Sequence, residues 1–185
     1  MTRRVVIPTA TGFQDHDLVY TYYRAREEGW EVDIATRDGQ PVYGKYGIPL
    51  PMDKTASPLI TFDDLDLDLY DTVILTGGHE APDRVRQDKR VTGFVADMAA
   101  AGKVVAGLCH GPWIMVSAGV LRGKRACAYI GLRDDVINAG AEVVDSDVIV
   151  DGNIITCSYY GYSPAFMKAV FATTEQLAAD AASTR

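Results

Sequence analysis

The stretch Val104-Val105-Ala106-Gly107-Leu108-Cys109-His110-Gly111-Pro112 decides the fold of this 185-residue chain. Residues 104–108 are an apolar run that is typical of a buried strand, and residues 110–118 continue as a predicted helix. Gly107 and Gly111 flank the cysteine, so the chain can turn sharply between the two elements. A nucleophilic side chain on a tight turn from strand to helix is the nucleophile-elbow pattern, here with sulfur in the serine position. We therefore expect Cys109 to be held in a strained backbone conformation that projects its side chain.

Strands alternate with helices on both sides of this elbow. Strands are predicted over residues 4–8, 31–36 and 72–76, and helices over residues 15–28, 88–101 and 134–139. A β-hairpin is predicted from residues 148–150 and 154–156, and a last helix begins near Ser163. The proline-rich residues 41–58 are expected to form a hairpin or long loop, and residues 63–68 a solvated loop or short turn. The alternation predicts an α/β fold with a mostly parallel central sheet covered by helices on both faces.

Length, composition and charge narrow the classes of protein. A chain of 185 residues with 48% hydrophobic residues suits one domain, expected over residues 1–185. Eighteen basic and 25 acidic residues leave a net charge of −7. Nucleic acids and anionic membranes attract clustered Lys and Arg, so neither is expected as a partner.

The termini and the cysteines indicate a location. Residues 1–4 lead into only four apolar residues before Thr9, so no signal peptide is expected. Three cysteines fit neither a disulfide framework nor a zinc spacing. We therefore expect a cytoplasmic protein with no metal, no cofactor and at least one free thiol.

The three histidines of the chain supply a second, independent hint of a site. His16, His79 and His110 each follow a predicted parallel strand, at the sheet edge where open α/β proteins bind ligands. Any one of them is more often a solvated loop residue, but three at the edge that carries Cys109 favour a function.

The position of Cys109 before a helix also predicts a lowered thiol pKa.

Two further features refine the chemistry. Gly77-Gly78 follows a buried strand and allows a backbone amide to point at a developing oxyanion, although two glycines are equally a plain turn. No histidine occurs after His110. A glutamine amidotransferase of the elbow type needs a downstream histidine, so that activity is disfavoured.

Several motifs resemble the DJ-1/PfpI superfamily, and specifically its PfpI (cysteine peptidase C56) branch. The most specific is Cys109-His110-Gly111-Pro112, and the others are residues 12–18, 22–24, 27–29, 77–78, 81–84, 117–123, 138–141 and 150–153. The resemblance covers nearly the whole chain. It implies a flavodoxin-like three-layer sandwich that self-associates as a homodimer or hexamer.

The resemblance also implies roles for particular residues. Cys109 would be the nucleophile with His110 beside it, and the amides of Gly78 and His110 would form the oxyanion hole. Asp17 matches the acid that hydrogen-bonds the cysteine, which is usually a glutamate, so its reach is shorter by about 1.3 Å. Asp83 matches a glutamate that a neighbouring subunit donates to the histidine. Residues 158–162 replace a charged stretch of the family, and together these departures disfavour an ordinary peptidase.

The tyrosines that fill this replaced stretch bear on the substrate. Tyr159, Tyr160 and Tyr162 either line the mouth of the site beside Trp113, favouring a flat or apolar ligand, or cover a subunit contact. With His16 and His79, we treat Trp113, Tyr159 and Tyr160 as candidate substrate-binding residues.

The expected function is that of a cysteine-nucleophile enzyme acting on a small electrophilic carbon, as a hydrolase, a hydratase or a glyoxalase III or deglycase-like lyase. One alternative is a non-enzymatic redox-responsive chaperone whose Cys109 is oxidised to a sulfinate. The other is an intracellular cysteine peptidase. The family resemblance specifies the nucleophile better than the reaction.

Overall fold

The computed structural model describes residues 2–52 and 57–183, and the largest element of this part of the chain is a seven-stranded sheet. The strands in chain order are β1 (Arg4–Pro8), β2 (Glu31–Thr36), β3 (Val42–Tyr43), β4 (Pro49–Leu50), β5 (Ile60–Thr61), β6 (Thr72–Leu75), β7 (Val104–Leu108), β8 (Arg125–Ala126), β9 (Glu142–Val143), β10 (Val148–Asp151) and β11 (Ile154–Cys157). The large sheet has the order β10-β11-β7-β6-β1-β2-β5. Neighbouring strands within this sheet are parallel, except that β10 and β11 form an antiparallel hairpin.

Helices cover both faces of this sheet. They are α1 (Asp15–Glu27), α2 (Glu80–Arg86), α3 (Lys89–Ala100), α4 (Pro112–Ala118), α5 (Arg133–Asn138) and α6 (Ser163–Ser183). One apolar cluster packs α1 and α6 on one face, and a second packs α3, α4 and α5 on the other. The fold is therefore the expected flavodoxin-like α/β sandwich of three layers, because strands buried on both faces need a helix layer on each side.

The strands expected at residues 4–8, 31–36 and 104–108 are confirmed to the residue. The expected excursion at residues 41–58 contains the β3–β4 hairpin, and its residues 53–56 lie outside the described part. Two short 3-10 turns occupy the acidic segment at residues 63–68. The helix expected at residues 110–118 begins instead at Pro112, since residues 109–111 are needed for the turn. The sequence analysis did not predict helix α2.

The chain changes direction across the sheet between β1 and β6. From β1 it moves to β2 on one side, and it later returns to place β6 and then β7 on the other side. At such a switch point the loops after neighbouring strands diverge and leave a crevice at their carboxyl ends. The loops after β1, β6 and β7 meet there, and they carry residues 9–14, 76–79 and 109–111.

Close packing at Gly111 holds the β7–α4 turn against the neighbouring strand. A Cβ atom built on Gly111 would collide with the carbonyl oxygen of Leu75, at the end of β6. The amide of Gly111 donates to the carbonyl of Leu108 at 2.8 Å, which closes the turn. No other residue type leaves room for the turn to lie this close to β6.

Among the described residues, no helix is both long and apolar enough to cross a bilayer.

We expect Gly111→Ala to destabilise the protein by about 1–3 kcal/mol, because the added methyl must push two backbone segments apart. Gly93→Ala is the matched control, since Gly93 lies inside α3 and a Cβ there meets no atom within 4 Å. That control should leave stability unchanged or raise it by up to about 1 kcal/mol through helix propensity. Urea unfolding of both variants measures the difference, and equal stabilities would contradict the packing argument.

Candidate active site

Cys109 occupies the elbow that the sequence predicts. Its φ is 58°, and among the described residues no other non-glycine side chain has a positive φ. The left-handed conformation costs a non-glycine residue about 1–2 kcal/mol, so the surrounding structure must hold it in place. The amide of Cys109 donates to the carbonyl of Cys157 at 2.9 Å, which ties the elbow to the end of β11.

Polar groups from two loops surround the Cys109 sulfur. The Nδ1 atom of His110 lies 3.3 Å from Sγ, at hydrogen-bond distance for sulfur. The backbone amides of His110 and Gly78 also hydrogen-bond the sulfur, and both lower the pKa of the thiol. The two amides expected to form an oxyanion hole are therefore next to the Cys109 sulfur, and their catalytic role stays a prediction.

The expected lowering of the Cys109 pKa is wrong. Burial, followed by the charge of Asp17, raises the pKa of the thiol to about 12, and the two amides and Lys45 only partly offset this rise. The residue is 6% exposed, so a thiolate there would be poorly hydrated. Helix α4 is short and starts three residues later, so its dipole does not compensate. At neutral pH the Cys109 side chain is therefore a neutral thiol.

Asp17 lies on α1, on the opposite side of Gly77 from the elbow. A Cβ on Gly77 would collide with Oδ2 of Asp17 and lie 2.7 Å from Cβ of Cys109, so only a glycine separates the two side chains. Oδ2 accepts the Gly77 amide at 2.8 Å, whereas Oδ1 is buried without a hydrogen-bond partner among the described residues. Burial raises the pKa of Asp17 to about 7, against the smaller lowering by the Gly77 amide. The carboxyl is thus close to half protonated at neutral pH.

His110 is enclosed by three rings. Its centroid lies 4.6 Å from that of Tyr129, 5.8 Å from that of Trp113 and 6.0 Å from that of His79. Burial, together with the charges of His79 and Lys45, lowers the pKa of His110. The imidazole is therefore neutral at neutral pH and can accept a proton. The structure places His79 and Trp113 beside His110, and their expected contact with a substrate stays a prediction.

His16 stands further from the sulfur, on the outer side of α1. It stacks on Tyr160 with centroids 5.1 Å apart, and its edge meets Tyr46 at 5.7 Å. These rings line part of a cavity of about 760 Å³ between α1, the β3–β4 hairpin and the start of α6. His16 is therefore placed at a wall of this cavity, while the proton-accepting position beside the sulfur belongs to His110.

The tyrosines of residues 158–162 divide between two surfaces. Tyr160 lines the cavity beside His16. Tyr159 and Tyr162, 41% and 39% exposed, line a separate and more polar depression of about 490 Å³ near Tyr129. The ring of Tyr159 contacts that of Tyr160 at 4.1 Å, so the two surfaces are adjacent.

In the described part of the chain, the hydrogen bonds of the Asp83 carboxylate are local. It accepts from Arg86 on its own helix α2 at 3.0 Å and from Gln87, the residue after that helix, at 3.2 Å. The guanidinium of Arg86 in turn lies over the Trp113 ring at 4.7 Å. The expectation for Asp83 concerned a neighbouring subunit, so it stays a prediction.

The β3–β4 hairpin adds residues that sequence reasoning missed. The buried carboxylate of Asp15 accepts the amides of Tyr46 at 2.8 Å and Ile48 at 3.0 Å, and Lys45 donates its amide to the carbonyl of Phe13 at 2.8 Å. These bonds fasten the hairpin over the loop after β1, and the charge of Lys45 lowers the pKa of Cys109. Residues 41–50 show no catalytic pattern, and only the fold brings them to the elbow. Tyr129 was missed for the same reason.

Metal ligands are not clustered here: residues 2–52 and 57–183 contain no group of three or more His, Cys, Asp or Glu side chains arranged to hold an ion.

The fold and the site define a class, the α/β proteins with a cysteine at the elbow. The cysteine has a positive φ, two amides bond its sulfur, and an imidazole lies beside it. The chain belongs to the DJ-1/PfpI family, whose family model matches residues 3–173.

Relatives from Pyrococcus furiosus and Escherichia coli are similar to this chain in sequence. The chain is 41% identical over 165 residues to Deglycase PfpI of Pyrococcus furiosus, covering 89% of this chain and 95% of that one. It is 33% identical over 160 residues to Protein/nucleic acid deglycase 2 of Escherichia coli, covering 85% and 89%. The solved structure of a ThiJ/PfpI domain protein from Brachyspira murdochii is similar with a TM-score of 0.85 at 21% identity, covering 95% and 98%. That structure supports the fold alone.

The raised pKa of Asp17 predicts a pH-dependent stability. A carboxyl whose pKa is about 3.8 unfolded and about 7 folded contributes stability at low pH that is lost as pH rises through this window. Asp17→Asn stays neutral, so it should become more stable relative to the wild type by roughly 2–3 kcal/mol between pH 5 and pH 8.

Urea unfolding at both pH values measures this difference, and subtracting the two chains cancels the titration of every other group. Asp134→Asn is the matched control, because Asp134 is exposed on α5. A constant difference between wild type and Asp17→Asn would show that the Asp17 pKa is not raised.

Proposed function

We propose that the protein is a cysteine-nucleophile enzyme that acts on a small electrophilic carbon, in a deglycase-type reaction. The observation that carries the proposal is the Cys109 sulfur, held at a positive-φ elbow 3.3 Å from an imidazole nitrogen of His110. Two relatives with sequence identities of 33% and 41% are named deglycases, which favours a carbonyl carbon or its adduct with an amine over an isocyanide.

The nucleophile starts as a thiol, so its proton must leave as the bond to carbon forms. Sγ attacks the electrophilic carbon while the thiol proton passes to the neutral Nδ1 of His110. Charge develops on the substrate oxygen as Sγ bonds to carbon, and the amides of Gly78 and His110, which bond the sulfur at rest, become hydrogen-bond donors to this oxygen. Because the proton moves from Cys109 to His110 during attack, the site can react even though the pKa of the resting thiol is high.

Asp17 has the role of holding a proton close to the sulfur. While its carboxyl is protonated, it adds no negative charge to the site and lowers the cost of forming the thiolate. The shorter aspartate leaves Oδ1 without a partner, so this oxygen is free to bond the reacting group. We assign the second proton transfer to His79, whose ring centroid lies 6.0 Å from that of His110.

The aromatic surroundings support an apolar or flat substrate group. Trp113 borders His110, and Tyr160 with His16 forms a stacked pair at the wall of the large cavity. We propose that Trp113, His79, His16, Tyr159 and Tyr160 contact the substrate. The hydratase and lyase variants of the reaction would use the same residues.

Self-association and location complete the proposal. We propose a homodimer or hexamer in the cytoplasm, with Asp83 acting on His110 across a subunit contact. Support comes from its position on α2, the helix that follows His79, where its carboxylate bonds the nearby residues Arg86 and Gln87. No nucleic acid or membrane is proposed as a partner.

We expect Cys109→Ala to reduce turnover to the uncatalysed background, since no other thiol lies beside an imidazole in the described part of the chain. The assay is a panel of small aldehydes and their amine adducts, isonitriles and casein. Cys127→Ala is the matched control, because it removes another buried thiol and should keep activity. Activity retained in Cys109→Ala contradicts the proposal, and cleavage of casein alone would support the peptidase alternative.

The pH dependence of kcat/KM tests the role of Asp17. Because burial raises its pKa to about 7, kcat/KM should fall as pH rises above about 7, where the carboxylate charge opposes thiolate formation. Asp17→Asn should flatten this limb of the profile. A limb that persists unchanged in Asp17→Asn would assign the titration to another group.

A further inference from the structure

All three cysteines of the chain lie near one another, although they are far apart in sequence. Cys109 follows β7, Cys157 ends β11, and Cys127 contacts β11 with its Sγ 3.1 Å from the carbonyl oxygen of Thr156. All three are buried free thiols. Besides burial, the charges of Cys127, Asp17 and Cys109 raise the pKa of Cys157, which places these groups within electrostatic reach of it. The proposed reaction uses only one of the three sulfurs.

The backbone brings Cys109 and Cys157 close enough to be joined. Strands β7 and β11 are parallel neighbours, and Leu108 is the register partner of Cys157. Cys109 is the next residue, and its amide donates to the carbonyl of Cys157 at 2.9 Å. Neighbouring strands lie about 4.8 Å apart and a residue advances about 3.3 Å along a strand, so the diagonal from Cys109 to Cys157 is about 5.8 Å. That separation is inside the range of about 4.4–6.8 Å between Cα atoms that a disulfide requires.

The side chains also share a face of the sheet. Successive strand residues point to opposite faces, so a normal strand residue at position 109 would point away from Cys157. The positive φ of Cys109 departs from that alternation, and both cysteines belong to the apolar cluster that α1 and α6 cover.

Cys127 is directed elsewhere. Its thiol donates to the carbonyl oxygens of Thr156 and Asp147, and its amide donates to Oγ1 of Thr156. The Thr156 side chain points to the opposite face from that of Cys157.

We infer that Cys157 is the resolving thiol of Cys109, and that one equivalent of a peroxide converts the pair into an intramolecular disulfide. In the first step the Cys109 sulfur attacks a peroxide oxygen while its proton passes to Nδ1 of His110, and the O–O bond breaks. The sulfur is oxidised to a sulfenic acid, and the leaving peroxide oxygen takes up that proton and departs as water or an alcohol. In the second step the Cys157 sulfur attacks that of Cys109. The S–OH bond breaks, and the hydroxyl leaves as water with the Cys157 proton.

The disulfide would change the site as well as block it. The Cys157 thiol donates to the carbonyl of Tyr159 at 3.4 Å, and a disulfide sulfur has no proton to donate. Its formation therefore releases the start of the segment that carries Tyr160 and its stack on His16. A reductant that restores both thiols restores the nucleophile, so the pair protects Cys109 from irreversible oxidation. This property does not depend on which substrate the enzyme uses.

The test is a titration of the reduced, full-length protein with one equivalent of hydrogen peroxide, followed by intact mass and non-reducing peptide mapping. Trypsin separates the three cysteines onto residues 104–122, 126–133 and 134–168, so each pairing gives a distinct linked peptide. We expect a product about 2 Da lighter, with residues 104–122 linked to 134–168. Dithiothreitol should restore the mass.

Two conservative variants provide the controls. Cys157→Ser should lose the disulfide and, with excess peroxide, accumulate a Cys109 product about 32 Da heavier, the sulfinate. Cys127→Ser should still form the disulfide. Circular dichroism and urea unfolding establish that both variants are folded.

Three results would overturn the inference: a sulfinate on wild-type Cys109 without a disulfide, a link between residues 126–133 and 134–168, or a disulfide between two chains. If the disulfide forms but Cys109→Ala keeps turnover, the proposed function fails while the disulfide inference stands.

Discussion

The structure depends on the close approach of the β7–α4 turn to the end of β6. Gly111 packs on the carbonyl of Leu75, and Gly77 keeps only a hydrogen atom between Asp17 and Cys109. This lack of space holds Cys109 at a φ of 58°, a conformation that a free turn would leave. Because the strain is confined to one residue between packed strands, the core can hold it, and the sulfur is presented at the carboxyl edge of the sheet.

The same packing determines the electrostatics of the site. Burial raises the pKa of the Asp17 carboxyl and that of the Cys109 thiol, and it lowers the pKa of His110. All three shifts favour neutral forms, as expected where charge is poorly solvated. The site therefore stores its protons on the carboxyl and the sulfur, and the imidazole is ready to receive one. The proposed reaction therefore transfers the thiol proton during attack and does not start from a preformed thiolate.

Sequence patterns predicted most of the framework because they depend on short-range periodicity. The strands at residues 4–8 and 104–108 follow from apolar runs, and the turn at Cys109 follows from its flanking glycines. Helix α2 was not predicted because its seven residues include Pro82 and show no clear apolar period. The predicted lowering of the Cys109 pKa was wrong because it considered only the helix that follows the cysteine, whereas burial has the larger effect on this pKa.

By itself the sequence determined the class of fold, the elbow that carries Cys109 and the edge of the sheet where it lies, since each depends on neighbouring residues. Only the tertiary structure decided which groups lie near the sulfur. Lys45 comes within electrostatic reach of Cys109 because Asp15 holds the β3–β4 hairpin in place, and Cys157 does so because β11 pairs with β7. The physical reason is that protonation and reactivity depend on burial and on contacts between distant segments, which follow from the packing of the whole sheet and not from any local pattern.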